Sequence, residues 1–259
     1  MYHYQKINQL NRTTMKTLLK KQHAIFTLIF LFTISITAQS NKKVTGNGKI
    51  VTKSLKTDGY DAIKCAGSFD YILVSGTEGN ITIEGEENLI DYITAEVKDN
   101  TLKVKVKKNF NLKTTKNKTI KITIPFQDIN SVALAGSGDL WNEDKISVNK
   151  LEVALAGSGD VILDIETSEV EGKIAGSGDL TLKGSTNDLI AKVSGSGDFH
   201  GFDLQSNNTD VAVAGSGDAE VVSNVSIVAR VAGSGDIAYR GNPQKEDAKV
   251  SGSGDISNN

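Results

Sequence analysis

The sequence predicts an all-β protein built as a parallel β-solenoid with about 19 residues in each repeat. Three observations predict this fold. One glycine-rich tetrapeptide recurs seven times at nearly constant spacing, apolar and polar residues alternate on both sides of each copy, and no stretch has sustained helical periodicity. Of the 259 residues 38% are hydrophobic and 6% aromatic, so the chain can bury an aliphatic core.

Residues 1–38 are predicted to be a secretory signal peptide. Met15, a candidate for the true start, is followed by three lysines, by the apolar run 24–36 and by small residues ending at Ala38. A membrane anchor is the alternative, but this run is shorter than the roughly 20 residues that span a bilayer. No cysteine lies directly after the run, which disfavours a lipoprotein. We therefore expect an exported, soluble protein in the periplasm, at the cell surface or outside the cell.

The charge distribution disfavours a nucleic-acid partner. The whole chain has a formal charge of −2, but residues 1–38 contain five basic residues and no acids. The remainder therefore carries about −7, whereas proteins that bind nucleic acids present basic patches to phosphate groups.

Residues 40–130 are predicted to form irregular N-terminal coils of the same architecture. The segment 63–70 copies the repeat, with Phe69 in place of its second glycine. We predict a hairpin turn at Lys98–Thr101 and an exposed basic loop over 107–118. Since no linker separates the two parts, we predict one domain from 40 to 259. The predicted strands are 71–74, 81–84, 93–97, 102–106 and 120–124.

Residues 131–259 contain the seven repeats. Each tetrapeptide Gly-Ser-Gly-Asp is preceded by an apolar residue two positions earlier and, except at Gly172, by another four positions earlier, such as Leu134 and Val132, with a small or polar residue between them. The alternation resumes after each aspartate, as in Leu180 and Leu182. Each repeat is therefore predicted to be a strand, a tight corner, a second strand and a polar return. The copies begin at Gly136, Gly157, Gly176, Gly195, Gly215, Gly233 and Gly252.

Stacking of such units buries one continuous aliphatic column, which a single unit cannot do. An up-and-down barrel or a sandwich is the competing fold, but neither needs an identical corner at every turn. One repeat in each coil fits the period. An arrangement with two repeats in each coil is also possible, because the sequence gives the length of the repeat but not the number of repeats that complete one coil.

The glycines of the tetrapeptide are predicted to be structural. A tight corner calls for positive φ, and close stacking leaves no room for a Cβ atom. A phosphate-binding loop would need a helix after the glycines, and none is predicted. The corner glycines are Gly136, Gly138, Gly157, Gly159, Gly176, Gly178, Gly195, Gly197, Gly215, Gly217, Gly233, Gly235, Gly252 and Gly254.

The aspartate that ends each tetrapeptide is the sharpest chemical feature. In stacked coils these carboxylates would lie roughly 5 Å apart, where like charges repel by about 1 kcal/mol in water-like surroundings. We predict that hydrogen bonds from backbone N–H groups to these carboxylates offset the repulsion. The alternative is a row of Ca²⁺ ions, since hard cations prefer oxygen ligands. The aspartates are Asp139, Asp160, Asp179, Asp198, Asp218, Asp236 and Asp255.

The sequence offers no recognisable catalytic set, and no cofactor is predicted. After residue 38 the chain has one histidine, His200, and no nucleophile-elbow motif, so serine hydrolysis is disfavoured. His200 and Trp141 share one outward position of the repeat and could offer a stacking surface to sugars, although three coils separate them. Cys65, the only cysteine, shares the inward position of Leu134 and is predicted to pack in the core.

The chain resembles the bacterial family described as the putative auto-transporter adhesin, head GIN domain. The resemblance rests on Gly46-Asn47-Gly48, the segment 61–74, the run from Glu86 to Leu102 and the Gly-Ser-Gly-Asp array. It implies a single-stranded right-handed parallel β-helix similar to that of the pectin lyases, with the glycines at tight turns, and a role in cell adhesion. It implies no catalytic residues.

We therefore expect an exported, non-enzymatic, adhesin-like module that presents a repetitive face to a surface ligand, either a glycan or a protein. Two alternatives stay open. One is a polysaccharide-processing enzyme on a β-helix scaffold. The other is a self-assembling envelope structural protein, a homo-oligomer joined through open solenoid ends, where an uncovered strand edge invites pairing.

Overall fold

The computed structural model describes residues 41–259, in which the regular secondary structure is almost entirely β-strand. The predicted signal peptide lies outside the described residues. Within the described part, no helix is long and apolar enough to cross a bilayer. The elements are β1 Lys42–Thr45, β2 Ile50–Lys56, β3 Ala62–Gly67, β4 Asp70–Ser75, β5 Asn80–Glu86, α1 Glu87–Ile90, β6 Ile93–Lys98, β7 Thr101–Val106, β8 Phe110–Lys113, β9 Lys121–Phe126, β10 Ser131–Gly136, β11 Leu140–Asn142, β12 Ile146–Gly157, β13 Val161–Gly176, β14 Leu180–Ser185, β15 Asp188–Gly195, β16 Phe199–His200, β17 Leu204–Gln205, β18 Asn208–Gly215, β19 Ala219–Val222, β20 Ser226–Gly233, β21 Ile237–Arg240, β22 Lys245–Gly252 and β23 Ile256–Asn258.

Two ladders of parallel strands run through the molecule, and each repeat contributes one strand to each ladder. The first ladder comprises β7, β3, β10, the C-terminal parts of β12 and β13, and then β15, β18, β20 and β22. The second comprises β9, β4, β11, the N-terminal part of β13, and then β14, β16, β19, β21 and β23. The predicted parallel β-solenoid is confirmed.

The strand register shows that each coil contains one repeat. Gly136 faces Gly157 across the first ladder, and Gly215 faces Gly233 further along. Equivalent residues of consecutive repeats are therefore direct neighbours throughout the array. This register settles the choice between one and two repeats in each coil.

The core is an aliphatic column between the two ladders. Leu134 aligns with Leu155 on one side and Cys65 on the other, and all three are at most 2% exposed. On the second ladder Leu180 aligns with Phe199, and both are fully buried. Burial of one such side chain contributes about 1.5–3 kcal/mol, so the inward positions account for most of the packing energy.

The N-terminal region is less regular than the sequence pattern predicts. Strand β5 pairs antiparallel with both β2 and β9, which adds a layer that does not follow the parallel stacking. The short helix α1 follows β5 and buries Leu89 and Ile90. This arrangement differs from simple coils because residues 76–126 lack the Gly-Ser-Gly-Asp corner that aligns successive turns of the array.

The predicted hairpin at Lys98–Thr101 is confirmed. Strands β6 and β7 pair antiparallel around Asp99 and Asn100, whose φ values are 51° and 54°. Two consecutive positive φ values match the right-handed twist of a tight hairpin.

The predicted loop at 107–118 is wrong in part, because it contains strand β8. This strand pairs parallel with β1, and the Phe110 ring lies 4.5 Å from that of Tyr92. The two apolar residues of β8, Phe110 and Leu112, are partly buried, and the surrounding lysines and asparagines hid this short alternation.

Candidate functional site

The glycine corner joins the two ladders and allows the coils to stack closely. The first glycine of every copy has a φ between +128° and +143°, a conformation that disfavours other residues. The second glycine has no positive φ, but a Cβ atom there would lie well inside 3.0 Å of a backbone oxygen in the preceding coil. A Cβ atom at the first glycine would also lie within 2.2 Å of a backbone oxygen in the preceding coil, so this glycine is needed for both conformation and space, and the second for space alone.

Backbone hydrogen bonds hold each corner to the next. The carbonyl of Gly195 accepts the N–H groups of both Ser216 and Gly217, at 2.9 and 3.2 Å. The same pair of bonds recurs at every corner of the array. These bonds leave the serine side chains exposed along the corner.

The seven aspartates form a continuous hydrogen-bonded ladder. From Asp160 onwards, the backbone N–H of each aspartate donates to Oδ1 of the aspartate one coil earlier, at 2.7–3.1 Å, which gives six bonds. Among the described residues, none of the seven forms an ion pair with a basic side chain within 4.0 Å. These hydrogen bonds support the prediction that backbone N–H groups compensate the charge of the carboxylates. Since the row has no basic partners among the described residues, it remains an acidic ridge.

The outward side of the first ladder forms a continuous surface, which we call the outer face. One position before each corner lies a stripe of small residues: Ala66, Ala135, Ala156, Ala175, Ser194, Ala214, Ala232 and Ser251. Three positions before each corner lies a stripe of basic and small residues: Lys64, Ala133, Ala154, Lys173, Lys192, Ala212, Arg230 and Lys249. The first stripe is therefore small along its whole length, and the second has a basic residue at five of its eight positions.

Acidic residues flank the middle of the outer face. Glu171 lies 2.9 Å from Lys192 and 3.1 Å from Lys173, and hydrogen bonds from these two lysines lower the pKa of its carboxyl. Arg230 pairs with Asp247. Exposed pairs of this kind contribute at most about 1 kcal/mol each, so these basic groups can exchange partners at low cost.

Two shallow grooves lie on the outer face. The larger, of about 670 Å³, crosses the last four coils between Lys192 and Lys249 and has a floor of small and aliphatic residues. The smaller, of about 240 Å³, lies at the other end beside Lys64, Lys103 and Lys105. Both grooves therefore combine an apolar floor with a basic rim.

Trp141 and His200 lie on the outward side of the second ladder, as predicted, but the structure does not bring them together. Trp141 is next to Ile72 and Ile162, whereas His200 is next to Thr181 and Glu220. Three coils at about 4.8 Å separate them by roughly 14 Å.

His200 instead lies beside two members of the aspartate ladder. A ring nitrogen of His200 and carboxylate oxygens of Asp179 and Asp198 lie within 4.8 Å of one another, and all three residues are partly buried. Oε2 of Glu220 lies 3.4 Å from Nδ1 of His200. The sequence reasoning missed this cluster. Its only signal was the spacing of two residues between Asp198 and His200, which places both on one side of a strand.

Cys65 is buried in the column, at 2% exposure, and it forms no disulfide in the described part of the chain. Burial raises the pKa of its thiol well above the ordinary value. The thiol is therefore protonated and shielded at neutral pH, as a core residue is.

The comparisons with known proteins identify one family and solved structures of the same fold. Residues 59–243 match the family described as putative auto-transporter adhesin, head GIN domain. A putative adhesin from Bacteroides fragilis superposes with a TM-score of 0.75 at 26% identity, covering 83% of this chain and 100% of that one. A putative lipid binding protein from Parabacteroides distasonis superposes with a TM-score of 0.69 at 27% identity, covering 84% and 100%. A search of curated proteins finds no match.

Proposed function

This chain belongs to the putative auto-transporter adhesin, head GIN domain family, and from that membership we propose that it is an exported, non-enzymatic, adhesin-like binding module. Its ligand is a glycan or a protein of a cell surface or matrix. The fold supplies a rigid support, and the outer face supplies the contact surface.

The basic grooves of the outer face carry this proposal. A long ligand laid along the solenoid axis meets a small residue of the first stripe at each coil, about every 4.8 Å, and a basic residue at five of the eight positions of the second stripe. The small residues let its backbone approach closely, and Lys192, Arg230 and Lys249 lie beside it. A repetitive surface of this kind suits a repetitive ligand, since many weak contacts add together.

The charges favour an anionic ligand. Lys64, Lys103, Lys105 and Lys249 form no ion pair within 4.0 Å among the described residues. Lys192 and Arg230 have carboxylate partners that an acidic ligand would replace. Acidic glycans are therefore the first ligand class to test.

A polysaccharide-processing enzyme is the second candidate. Hydrolysis of a glycosidic bond generally needs two carboxylates on opposite sides of the bond. The larger groove is lined by basic, small and aliphatic residues, and the aspartate ridge lies beyond the glycine corner. This distribution favours binding over turnover.

Self-assembly remains a third candidate. Strand β22 pairs with β20 on one side, and all eight of its residues are exposed. An exposed strand edge is a template for pairing with another chain.

The test is retention of the purified protein on immobilised acidic and neutral glycans, matrix proteins and lipid vesicles, with analysis of the eluate for cleavage products. The double variant Lys192→Glu, Lys249→Glu reverses two charges of the larger groove. The double variant Lys108→Glu, Lys183→Glu makes the same change of net charge away from the outer face and serves as the control.

We expect saturable retention on one ligand class, lost with the first variant and kept with the control, and weakened by salt. Equal retention of both variants would show that the ligand binds elsewhere than on the outer face. Released fragments would support the enzyme. Absence of retention together with concentration-dependent sedimentation would support self-assembly.

A further inference from the structure

One part of the aspartate ladder differs from the rest. Asp179 and Asp198 are partly buried, whereas the other five aspartates are exposed. The difference coincides with His200, which lies two residues after Asp198 on the same side of the second ladder. The donor atoms of these three residues lie within 4.8 Å of one another.

The donor atoms suit a divalent transition metal. Oδ1 of Asp179 and Oδ1 of Asp198 each accept a backbone N–H bond, so Oδ2 of each carboxylate remains available. An imidazole nitrogen with two carboxylate oxygens is a ligand set used by Zn²⁺ and its neighbours in the first transition row. Ligands of a tetrahedral Zn²⁺ ion lie about 3.4 Å apart, so small side-chain rotations would complete the site.

Glu220 supplies the outer contact that such histidines commonly have. Its Oε2 atom lies 3.4 Å from Nδ1 of His200, in the coil on the far side from Asp179. A carboxylate on one ring nitrogen fixes the tautomer and directs the other nitrogen towards a metal.

We propose that Asp179, Asp198 and His200 bind one Zn²⁺ ion or a similar divalent transition-metal ion, with Glu220 orienting the histidine. The site goes beyond the proposed binding function and lies on the second ladder, away from the outer face. It joins two consecutive coils, because Asp179 belongs to one coil and the other two ligands to the next. Calcium is excluded from this role by its preference for six to eight oxygen ligands.

The test is titration of the metal-free protein with Zn²⁺ by calorimetry and with Co²⁺ by visible absorption. We expect one ion to bind for each chain, with a Co²⁺ spectrum of low coordination number and a raised melting temperature with Zn²⁺. His200→Gln should weaken binding by at least about 100-fold, and Glu220→Gln by about 10–100-fold. Asp198→Asn should also weaken it.

Asp160→Asn is the matched control, since Asp160 has the same ladder position one coil earlier and lies outside the cluster. It should bind metal as the unchanged protein does. The variants' unfolding curves in metal-free buffer establish that each is folded. Binding that is equally strong in His200→Gln, or the absence of any Co²⁺ spectrum at millimolar concentration, would overturn the proposal.

Discussion

Oδ1 of Asp198 accepts the backbone N–H of Asp218 at 2.7 Å. The bond runs between consecutive coils and recurs along the array. The row of like charges therefore also connects the coils, because the carboxylates from Asp139 to Asp236 each accept the backbone N–H of the next aspartate in the row. The balance between this gain and the repulsion of neighbouring charges can be measured.

Asp218→Ala should lower the free energy of unfolding by about 1–2 kcal/mol, because the N–H of Asp236 loses its acceptor. Asp218→Asn should cost less than about 0.5 kcal/mol, since the amide oxygen still accepts and one negative charge is removed. Urea unfolding followed by circular dichroism measures both. Ser216→Ala, at an exposed side chain of the same corner, is the control. An Asp218→Ala variant as stable as the unchanged protein would show that the ladder contributes nothing.

Calcium should have no effect on this ladder. The carboxylates already accept backbone N–H bonds, and they present one oxygen-rich group for each coil, without the six to eight ligands that calcium requires. The melting temperature in millimolar calcium should lie within about 1 °C of that in buffer alone, at equal ionic strength. Magnesium at the same concentration controls for screening of the row. A rise specific to calcium would restore the alternative of a calcium ladder.

The array could be predicted from the sequence because identical residues at constant spacing stack most simply with each residue beside its equivalent in the next repeat. The inward positions of Leu134 and Val213, and the place of Cys65 beside Leu134, follow from that register. The antiparallel pairing of β5 with β2 and β9 could not be predicted, because those segments share no repeat that fixes their neighbours.

The candidate site was less predictable than the fold. The proximity of Asp179 to His200 depends on how many residues complete a coil, and the sequence left that number open. The basic grooves depend on side chains from four coils that are far apart in the chain, such as Lys192 and Lys249. Periodicity identified the outward positions, but only the stacked structure shows which of them adjoin.

Gly217→Ala should destabilise the protein by about 3 kcal/mol or more, because the added Cβ would collide with the backbone oxygen of Gly197. The neighbouring oxygen belongs to the backbone of the preceding corner, so it cannot move aside as the end of a flexible side chain would. Thermal unfolding measures the effect. Gly48→Ala is a contrasting variant, since its φ is +79° but no atom lies within 4 Å of the added Cβ. It should cost only about 1 kcal/mol, from backbone strain. Equal costs at the two positions would refute the steric explanation.

Cys65 should react slowly with thiol reagents. It is 2% exposed, and burial raises the pKa of the thiol, so little of the reactive thiolate is available. We expect labelling of the folded protein to be at least about 100-fold slower than labelling in concentrated urea. A Ser137→Cys variant, exposed at the first corner, provides the accessible control in a Cys65→Ser background. Comparable rates for Cys65 and Cys at the corner would contradict its place in the column.

Glu86 connects three parts of the irregular region that the repeat does not organise. It is fully buried, at the end of β5, and its carboxylate accepts the backbone N–H groups of Gly48 and Thr115. Burial raises the pKa of this carboxyl, but the hydrogen bonds from Thr115 and Gly48 outweigh it, so that the net pKa lies below the ordinary value of 4.5. A carboxyl with a lowered pKa stabilises the folded state while it is ionised.

Glu86→Gln should therefore lower the free energy of unfolding at neutral pH by about 1–3 kcal/mol, the cost of weakening buried hydrogen bonds to a charged acceptor. The stabilisation by the native carboxylate is fully present above pH 4.5 and is lost as the pH falls through the lowered pKa of the folded state. The difference between the two proteins should shrink on acidification, as measured by urea unfolding at a series of pH values. Glu84→Gln, at an exposed position on the same strand, should show neither effect. A difference that is constant with pH would mean that the shape of the side chain, and not its charge, holds the loops together.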